Sequence, residues 1–312
     1  MFKAWRASRL AWTWSERAYA GSKGKHLGLK RHLRWAVQTM LHQGEMLPWL
    51  QWLEAPEHRV FAEANPRLVF RPLGLYVCTR WGVGQRIRAL CHSYGFLNAQ
   101  GGRFRDAMLK EEGVELVRLP VGKGTEAVIR LGFHSQFRKE GEFAVFFHLG
   151  GIEGAISSFA FTLDRDPREG WVMYVGAVQG RKGGGEEEVK VATKALHGLR
   201  PKQLMGLLAQ EIARALRVQH IRGIANDMQV FRSGRIRTLL QGRKVVFDYD
   251  GLWAEMEGVR RPDGWFEVPL RTPRREPDEI KPNKRSMYAK RYAFLDDLTR
   301  QLRTMLTPFG TS

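Results

Sequence analysis

The spacing of apolar residues changes near the middle of the chain. Up to about residue 105, apolar positions recur at the spacing of amphipathic helices, whereas from Gly113 onward apolar and polar residues alternate. Five runs with a two-residue period follow one another between Gly, Lys, Asp and Pro turn signals, at 114–121, 125–135, 141–149, 154–163 and 170–180. Because consecutive strands with short connections pair antiparallel, this pattern predicts an antiparallel meander.

The stretch 193–226 returns to a helical pattern and predicts a loop, a helix and a short buried strand. Pro201 opens the helix, and Ile221, Ile224 and Ala225 form the β-like run after it. Apolar residues recur at helical spacing at Leu204, Leu207, Leu208, Ile212, Ala215 and Leu216. Further elements are predicted as helices over 186–196, 249–258 and 288–306 and a strand over 265–270. The whole pattern predicts an α+β fold, with a helical front followed by a mostly antiparallel sheet with packed helices.

Tryptophan and basic side chains alternate through the first 55 residues, which are predicted to be helical with breaks around 21–28 and near Pro48. Such a pattern is typical of interfacial membrane helices, because indole prefers the headgroup level and cations attract anionic lipid. The tryptophans can instead cover the core of the following domain. This second interpretation is favoured for Trp49 and Trp52, and both stay open for Trp5, Trp12 and Trp14.

A polar, glycine-containing loop at 98–105 predicts a boundary. Residues 1–105 would form a basic, Trp-rich helical region, and residues 106–312 a sheet domain with a basic C-terminal arm and a final helix.

The segment 143–163 has about the length of a membrane span. His148 and Glu153 fall near its middle, where ionisable groups are costly in lipid, and Gly150 and Gly151 separate two β-rich halves. A buried hairpin is therefore predicted, and no transmembrane segment.

The charge of the chain is strongly positive. Lys and Arg number 51 against 32 Asp and Glu, a formal net charge of +19. Such a surplus favours polyanionic partners, among them nucleic acid, anionic lipid surfaces and phosphate-bearing small molecules, without choosing among them. Cys78 and Cys91 match no metal or disulfide spacing, and charged residues interrupt the N-terminal apolar run, so we predict no metal, no secretory signal and a chain that is cytoplasmic or peripheral to the inner membrane.

Cations cluster where the helix of Pro201 begins. His197, Arg200 and Lys202 stand beside a helix N-terminus, which carries free backbone N–H groups and the positive end of the helix dipole. This combination favours a bound anion, although most helices that begin near Arg and Lys bind nothing. The glycine-rich loop 179–185 carries two cations and can wrap a phosphate, but it has neither the P-loop nor the dinucleotide spacing, so a solvated loop is the favoured interpretation. A further basic stretch follows at 232–244.

Several uncommon strings follow one another between about residues 60 and 306, namely NPRLVFRPLGLY, FRKEGEFAV, VGAVQG, TKALHGLRPKQL, YDGLWAEMEG with GWFEVPL, and EIKPNKRSMYAKRYAFLDDL. In sequence and in order they resemble the signature blocks of the VirK/YbjX family of bacterial proteins. The resemblance implies a role in bacterial virulence or in tolerance of envelope stress. It implies a biological setting rather than a reaction.

The order of elements is also similar to the acyl-CoA-dependent N-acyltransferase fold, whose members hold the CoA pyrophosphate on a glycine-containing loop at a helix N-terminus. Here Gln203 and Met205 stand where glycine and a small residue belong. The resemblance implies acyl-CoA as cofactor, with His197 or Glu255 as base and Tyr249 as acid. The residues that would hold the cofactor are Gln179, Gly198, Arg200, Lys202 and Asn226.

Each catalytic candidate has an ordinary structural alternative: His197 as a helix cap, Glu255 on a solvated helix face, Tyr249 in the core. Two other functions also stay open, a non-enzymatic basic protein on an anionic inner-membrane surface and non-specific nucleic-acid binding, since no specific nucleic-acid motif is present. A strand pair that separates beside the Pro201 helix would favour acyl-CoA, and a closed sheet would favour binding alone.

Overall fold

The computed structural model describes residues 2–19, 25–122, 124–181, 185–232 and 247–306. Residues 182–184 of the glycine-rich loop and residues 233–246 of the basic stretch lie outside these ranges. The phosphate-binding potential of the glycine-rich loop therefore stays a prediction.

The front of the chain is helical, as predicted. Its elements are α1 (Phe2–Ala18), α2 (Lys25–Leu41), α3 (Gln43–Glu54), α4 (Pro56–Ala64), a 3₁₀ segment (Pro66–Leu73), α5 (Val83–Ala99) and α6 (Gly102–Met108). The predicted break near Pro48 is wrong, because α3 continues through Pro48 and the chain turns at His42 instead. A proline inside a helix costs roughly 3 kcal/mol, but buried Met46, Trp49 and Leu50 on the same helix each contribute about 1.5–3 kcal/mol, so packing outweighs the lost hydrogen bond.

The second half of the described chain forms one eight-stranded sheet with packed helices. Its strands are β1 (Val114–Pro120), β2 (Glu126–Gly132), β3 (Phe143–Leu149), β4 (Ser157–Asp166), β5 (Gly170–Gly180), β6 (His220–Gly223), β7 (Val259–Arg260) and β8 (Phe266–Val268). Their spatial order is β1-β2-β3-β4-β5-β6-β8-β7. From β1 to β5 each strand pairs antiparallel with the next, which confirms the predicted meander. The fold class is α+β, as the alternating pattern predicts.

The segment that has the length of a membrane span forms β3 and β4, which pair antiparallel. This confirms the predicted hairpin. No helix in the described ranges is both long enough and apolar enough to cross a bilayer.

Two helices connect β5 to β6, namely α7 (Glu186–Ala195) and α8 (Pro201–Ala215). This crossover makes β5 and β6 parallel, the one parallel pair among the described strands. The apolar face of α8, with Leu204, Leu208 and Ile212 fully buried, packs on β4, β5 and β6. The N-terminus of α8 consequently lies over the sheet, where Ser157 Oγ donates a hydrogen bond to the Pro201 carbonyl at 3.2 Å.

Strands β5 and β6 separate before β5 ends. Their pairing runs from Val172 with His220 to Val175 with Gly223, and β5 then continues to Gly180 without β6. The turn before β3 packs against β5 just beyond this point, since a Cβ on Gly176 would lie 1.9 Å from the Glu140 carbonyl oxygen. The strand pair is therefore open at its carboxyl end, beside the start of α8.

Two last helices complete the described chain, α9 (Tyr249–Glu255) and α10 (Arg285–Met305). α10 packs on α8 and on the edge strand β1. Its Gln301 side chain bonds the backbone of Arg118 twice, accepting from the amide N–H at 2.9 Å and donating to the carbonyl at 3.1 Å. The C-terminal helix is thus tied to the first edge of the sheet.

The tryptophans of the front divide between core and surface. Trp14 and Trp49 are 1% exposed, and Trp52 is partly buried and stacks on Trp49 with ring centroids 5.4 Å apart. Trp12 is partly buried, whereas Trp5 is 58% exposed. The core interpretation therefore holds for Trp14, Trp49 and Trp52, and Trp5 remains on the surface.

Candidate functional site

A large cleft lies between α8, α9, α10 and the arm of residues 271–284. It has a volume of about 1630 Å³ and is lined by nine Arg or Lys side chains and four Asp or Glu side chains. The cations are Arg200, Arg214, Arg271, Arg274, Arg275, Lys284, Arg291, Arg300 and Arg303, and the acids are Glu211, Glu255, Glu276 and Asp296. We call this the basic cleft, because cations outnumber acids along its walls.

Hydrogen bonds from the arm to both helices frame the basic cleft. Gln210 Nε2 on α8 donates to the Pro269 carbonyl at 2.7 Å and to Thr272 Oγ1 at 3.0 Å. On the other side Arg274 pairs with Asp296 of α10, and the hydrogen bond from Arg274 lowers the pKa of the Asp296 carboxyl. The arm therefore holds α8 and α10 at a fixed separation, which keeps the cleft open.

Several cations of the basic cleft have no acidic partner within the described ranges. Arg214 pairs with Glu211, Arg274 with Asp296 and Arg300 with Asp297. No ion pair or hydrogen bond to another described side chain is found for four others, Arg200, Arg271, Lys284 and Arg303. These side chains leave a positive potential in the cleft that an anion can neutralise.

A second cavity of about 880 Å³ adjoins the basic cleft on the side of α7. The two share Gly198, Arg200 and Met287 in their walls. Cations also line this small cavity, at Lys190, Lys194, Arg200, Lys202 and Lys290, and its described lining holds no Asp or Glu. The predicted anion-binding loop 197–202 therefore stands between two basic cavities.

The loop between α7 and α8 has an unusual backbone. His197 and Gly198 both have positive φ angles, +53° and +78°, and the Gly198 N–H donates to the Thr193 carbonyl at 2.7 Å. Arg291 of α10 donates through Nε and Nη2 to the His197 carbonyl, at 3.1 and 2.9 Å. The guanidinium thus fixes the loop against α10.

The imidazole of His197 borders the small cavity. Burial, together with the charges of Lys290 and Arg291, lowers its pKa below the ordinary histidine value. At neutral pH the ring is therefore uncharged and able to accept a proton.

The structure separates the sequence-predicted residues into three groups. Gly198, Arg200 and Glu255 line the basic cleft, and Lys202 and His197 line the small cavity with Lys202 Nζ 4.7 Å from the centre of the Phe247 ring. Three others lie outside both cavity linings, namely Tyr249, Gln179 and Asn226. The candidate acid and bases are thus not assembled around one cavity.

Tyr249 and Asn226 lie at the junction of β6 and α9. Tyr249 is 1% exposed, and its N–H donates to Asn226 Oδ1 at 3.0 Å. Asn226 Nδ2 donates to Asp248 Oδ1 at 2.9 Å, and the Asn226 N–H donates to Asp250 Oδ1 at 2.8 Å. These contacts fix the start of α9, which is a structural role.

Gln179 belongs to a buried polar cluster where β5 has left β6. Its Oε1 accepts from Gln136 Nε2 at 2.6 Å, and its Nε2 donates to Glu140 Oε2 at 3.3 Å. Gln229 Nε2 donates to the other oxygen of Glu140 at 2.6 Å. Glu140 is 1% exposed, and burial raises the pKa of its carboxyl to about 8, against the smaller opposite effect of Gln229.

A second buried carboxylate lies two residues further on. Glu142 pairs with Arg71 and accepts hydrogen bonds from the hydroxyls of Tyr94 at 2.5 Å and Tyr76 at 3.1 Å. Tyr76 also contacts Thr162 Oγ1 at 3.0 Å. Burial acts to lower the pKa of Arg71, but the Glu142 charge, with the two tyrosines, raises it overall. This cluster was not predicted from the sequence, although Arg71, Tyr76 and Glu142 lie in two of the strings that carry the family resemblance.

The comparisons with known proteins agree with that resemblance. A family described as "Protein of unknown function (DUF535)" matches residues 25–304. The chain belongs to this family. It is 29% identical over 290 residues to a protein named "Uncharacterized protein YbjX" from Escherichia coli (strain K12), covering 88% of this chain and 84% of that protein. The predicted VirK/YbjX membership is thereby confirmed.

Two proteins of Haemophilus influenzae (strain Rd), each named "Uncharacterized protein", are also similar. They are 33% identical over 134 residues and 36% identical over 138 residues, covering 43% and 44% of this chain and 44% of each relative. No solved structure matches the chain, so the N-acyltransferase likeness rests on the order of elements alone.

The DUF535 match includes every residue that lines the two cavities. Two of the strings by which the family resemblance is recognised face each other across the basic cleft. TKALHGLRPKQL contributes Gly198, Arg200 and Gln203 from one wall, and EIKPNKRSMYAKRYAFLDDL contributes Lys284 and Arg291 from the other. Parts of both walls of the basic cleft therefore come from strings by which the family is recognised.

Proposed function

We propose that this DUF535 protein binds a phosphate-bearing small molecule in the basic cleft, and that the molecule donates an acyl group to an amine. The observation that carries the proposal is the excess of cations over acids around one cavity, including Arg200 and Arg271, which have no acidic partner among the described residues. Guanidinium groups form paired, charge-assisted hydrogen bonds with phosphate oxygens, so such a wall suits a di- or polyphosphate.

The mode of phosphate binding would differ from that of the N-acyltransferase fold. A glycine loop lets backbone N–H groups approach the pyrophosphate, but here Gln203 projects into the cleft and Met205 is buried. Side chains would therefore supply most of the contacts. Arg200, the residue before α8, has an extended backbone and makes no capping hydrogen bond, so its guanidinium is available for this purpose.

The order of the sheet supports the acyl-transfer part of the proposal. Four antiparallel strands precede a parallel pair, two helices connect that pair, and β5 separates from β6 before it ends. In the proposed reaction the acyl group would lie near the start of α8, where the basic cleft and the small cavity meet at Gly198 and Arg200, and the amine would enter there. The neutral imidazole of His197 is the candidate base, since it borders the small cavity that joins the cleft at Gly198.

The biological setting belongs to the same proposal. Acyl transfer to an amine-bearing envelope component, or to a precursor of one, would connect the chain with the tolerance of envelope stress that the VirK/YbjX resemblance implies.

Calorimetric titration with CoA and with acetyl-CoA tests the binding step. We expect the double variant Arg200→Gln/Arg271→Gln to bind at least about ten-fold more weakly than the wild type, because each charge-assisted hydrogen bond contributes roughly 1.5–3 kcal/mol. The matched control is Arg103→Gln/Arg168→Gln, which removes the same charge from two exposed sites outside the cleft lining.

The proposal fails if wild-type protein binds neither ligand, or if both double variants bind equally. Acyl transfer is a separate outcome. If the wild type binds acetyl-CoA but releases no free CoA thiol with any primary amine tested, the binding part of the proposal stands and the transferase part is contradicted.

A further inference from the structure

Helix α2 exposes a row of large apolar side chains. Leu29 is 58% exposed, Leu33 57% and Val37 41%, and Met40 and Leu41 at the end of the helix are 44% and 71% exposed. Leu29, Leu33 and Val37 are spaced four residues apart and Met40 follows three residues later, so these residues lie along one side of the helix. We call Leu29, Leu33, Val37 and Met40 the α2 stripe. Five exposed large apolar side chains on one helix form a contiguous patch rather than the scattered exposure usual on a protein surface.

A neighbouring side of α2 is packed against α1. Ser15 Oγ lies 2.6 Å from His32 Nδ1, the rings of Trp12 and His32 are 5.4 Å apart, and Ser8 Oγ donates to the Ala36 carbonyl at 3.4 Å. The hairpin of α1 and α2 is therefore anchored through His32 and Ala36. This anchoring leaves the α2 stripe facing outward in a fixed orientation.

Cations flank the α2 stripe. At about 100° per residue, Lys30 and Arg34 lie beside Val37 on the same rim of the helix, and both are exposed. The first 41 residues contain nine Lys or Arg and a single acid, Glu16. Trp5 is 58% exposed, and the Arg9 guanidinium lies 5.4 Å from the centre of its ring. Because α1 and α2 pack antiparallel, Trp5 lies beside the end of α2.

We propose that the α2 stripe docks on the surface of an anionic phospholipid bilayer. Apolar side chains insert at the boundary of headgroups and acyl chains, while Lys30 and Arg34 extend their ammonium and guanidinium groups to the lipid phosphates. This complementarity of charge selects the lipid surface as occupant, since a nucleic acid offers phosphate but no apolar layer for the leucines. The proposal concerns a surface separate from the basic cleft and does not depend on the proposed reaction.

Co-sedimentation of the full chain with vesicles tests this docking. We expect binding to vesicles of phosphatidylglycerol and phosphatidylethanolamine and much weaker binding to vesicles of phosphatidylcholine. The triple variant Leu29→Gln/Leu33→Gln/Val37→Gln should lower the partition coefficient by at least about ten-fold, because it removes the inserted apolar area. The variant Lys30→Glu/Arg34→Glu should lose the preference for anionic vesicles while keeping the apolar row.

The matched control is Val191→Gln/Val259→Gln/Met305→Gln, which removes three exposed apolar side chains from other elements, 46%, 69% and 42% exposed. It should sediment like the wild type, as should the cleft variant Arg200→Gln/Arg271→Gln. Circular dichroism checks that each variant is folded.

Three outcomes would overturn the proposal. The first is that the triple variant of the α2 stripe binds anionic vesicles as strongly as the wild type does. The second is that the wild type binds both kinds of vesicle equally or binds neither. The third is that the wild type forms a concentration-dependent dimer in sedimentation velocity and the triple variant does not. The last result would assign the α2 stripe to contact with a second copy of the chain.

Discussion

Glu140 and Glu142 stand two residues apart, and both carboxyl groups are buried, but their partners differ in charge. Glu142 lies against the Arg71 guanidinium, which compensates its charge in the interior. Glu140 receives hydrogen bonds from the neutral amides of Gln229 and Gln179 and has no cationic partner among the described residues. Ionisation of Glu140 is therefore costly, which is why its pKa is raised to about 8.

The raised pKa of Glu140 predicts a loss of stability at alkaline pH. The pKa of Glu140 is higher in the folded chain than the ordinary 4.5, so protonation of this carboxyl favours the folded state. The contribution to stability is complete below about pH 4.5, decreases as the pH rises and is lost once the pH passes about 8. At about 1.4 kcal/mol per pKa unit, the unfolding free energy should fall by up to roughly 4 kcal/mol between about pH 5 and about pH 9. Urea unfolding of the wild type and of Glu140→Gln measures this change.

The Glu140→Gln variant should show a much flatter pH profile and exceed the wild type in stability above about pH 8. Glu57→Gln, which removes an exposed carboxyl, is the control and should follow the wild-type profile. Parallel profiles for all three proteins would contradict the assignment.

Neither buried carboxyl is recognisable from its local sequence. The run Lys139-Glu140-Gly141-Glu142 has the composition of a solvated turn. The side chains that bury Glu142 come from Tyr94, Tyr76 and Arg71, which are 48, 66 and 71 positions away, and Gln229 is 89 positions from Glu140. Single-sequence patterns carry no information about contacts over such separations.

Individual helices and strands were more predictable than their contacts. The helix over 186–196 and the helix begun by Pro201 are found at Glu186–Ala195 and Pro201–Ala215, because apolar periodicity and the proline mark them. The cations beside Pro201 were also visible in the sequence. The opposite wall of the basic cleft could not be predicted, because α10 and the arm lie far after α8 in the sequence. The hydrogen bond from Arg291 to the His197 carbonyl, which spans nearly 100 positions, is an example of such a long-range contact.

The loop between α7 and α8 requires glycine at position 198. Its φ angle is +78°, and a Cβ would lie 2.9 Å from Arg291 Nη2 and 3.0 Å from Met287 Sδ. We expect Gly198→Ala to lower the unfolding free energy by about 1–2 kcal/mol and to weaken CoA binding, because Arg291 must move. Urea unfolding and calorimetry check both effects.

Gly95→Ala is the matched control for that variant. Gly95 lies inside α5, and no neighbouring element comes within 4 Å of the place where a Cβ would stand, so alanine should be neutral or stabilise by up to about 1 kcal/mol. Equal stability of the two variants would show that the loop relaxes without cost.

At the scale of the whole molecule, the order of elements was predictable, whereas the neighbours within the sheet were only partly so. Alternation predicts the meander of β1 to β5 because sequential strands pair. The insertion of β8 between β6 and β7 reverses the chain order at the far edge, and such short strands give little signal. The division at residue 105 stays a prediction, and the buried pair of Arg71 and Glu142 joins the two sides of it.

The net charge of +19 predicts association with nucleic acid that depends on salt rather than on base sequence. Because bound cations release counterions from the phosphate backbone, affinity for a DNA duplex should fall by at least about ten-fold between about 50 and about 200 mM NaCl. Fluorescence anisotropy with two duplexes of unrelated sequence measures it. A single duplex that stays bound at the higher salt would indicate specific recognition and contradict the non-specific interpretation.

The amide of Gln301 pairs with the backbone of Arg118 in the way a neighbouring strand would. It occupies a donor and an acceptor on the outer edge of β1, and the strand at the other edge, β7, has two residues. Open edges are where sheets of separate molecules join into aggregates, and a covered edge and a very short one both discourage it. The variant Gln301→Ala, which uncovers the edge of β1, would therefore be expected to lose solubility while keeping the sheet itself.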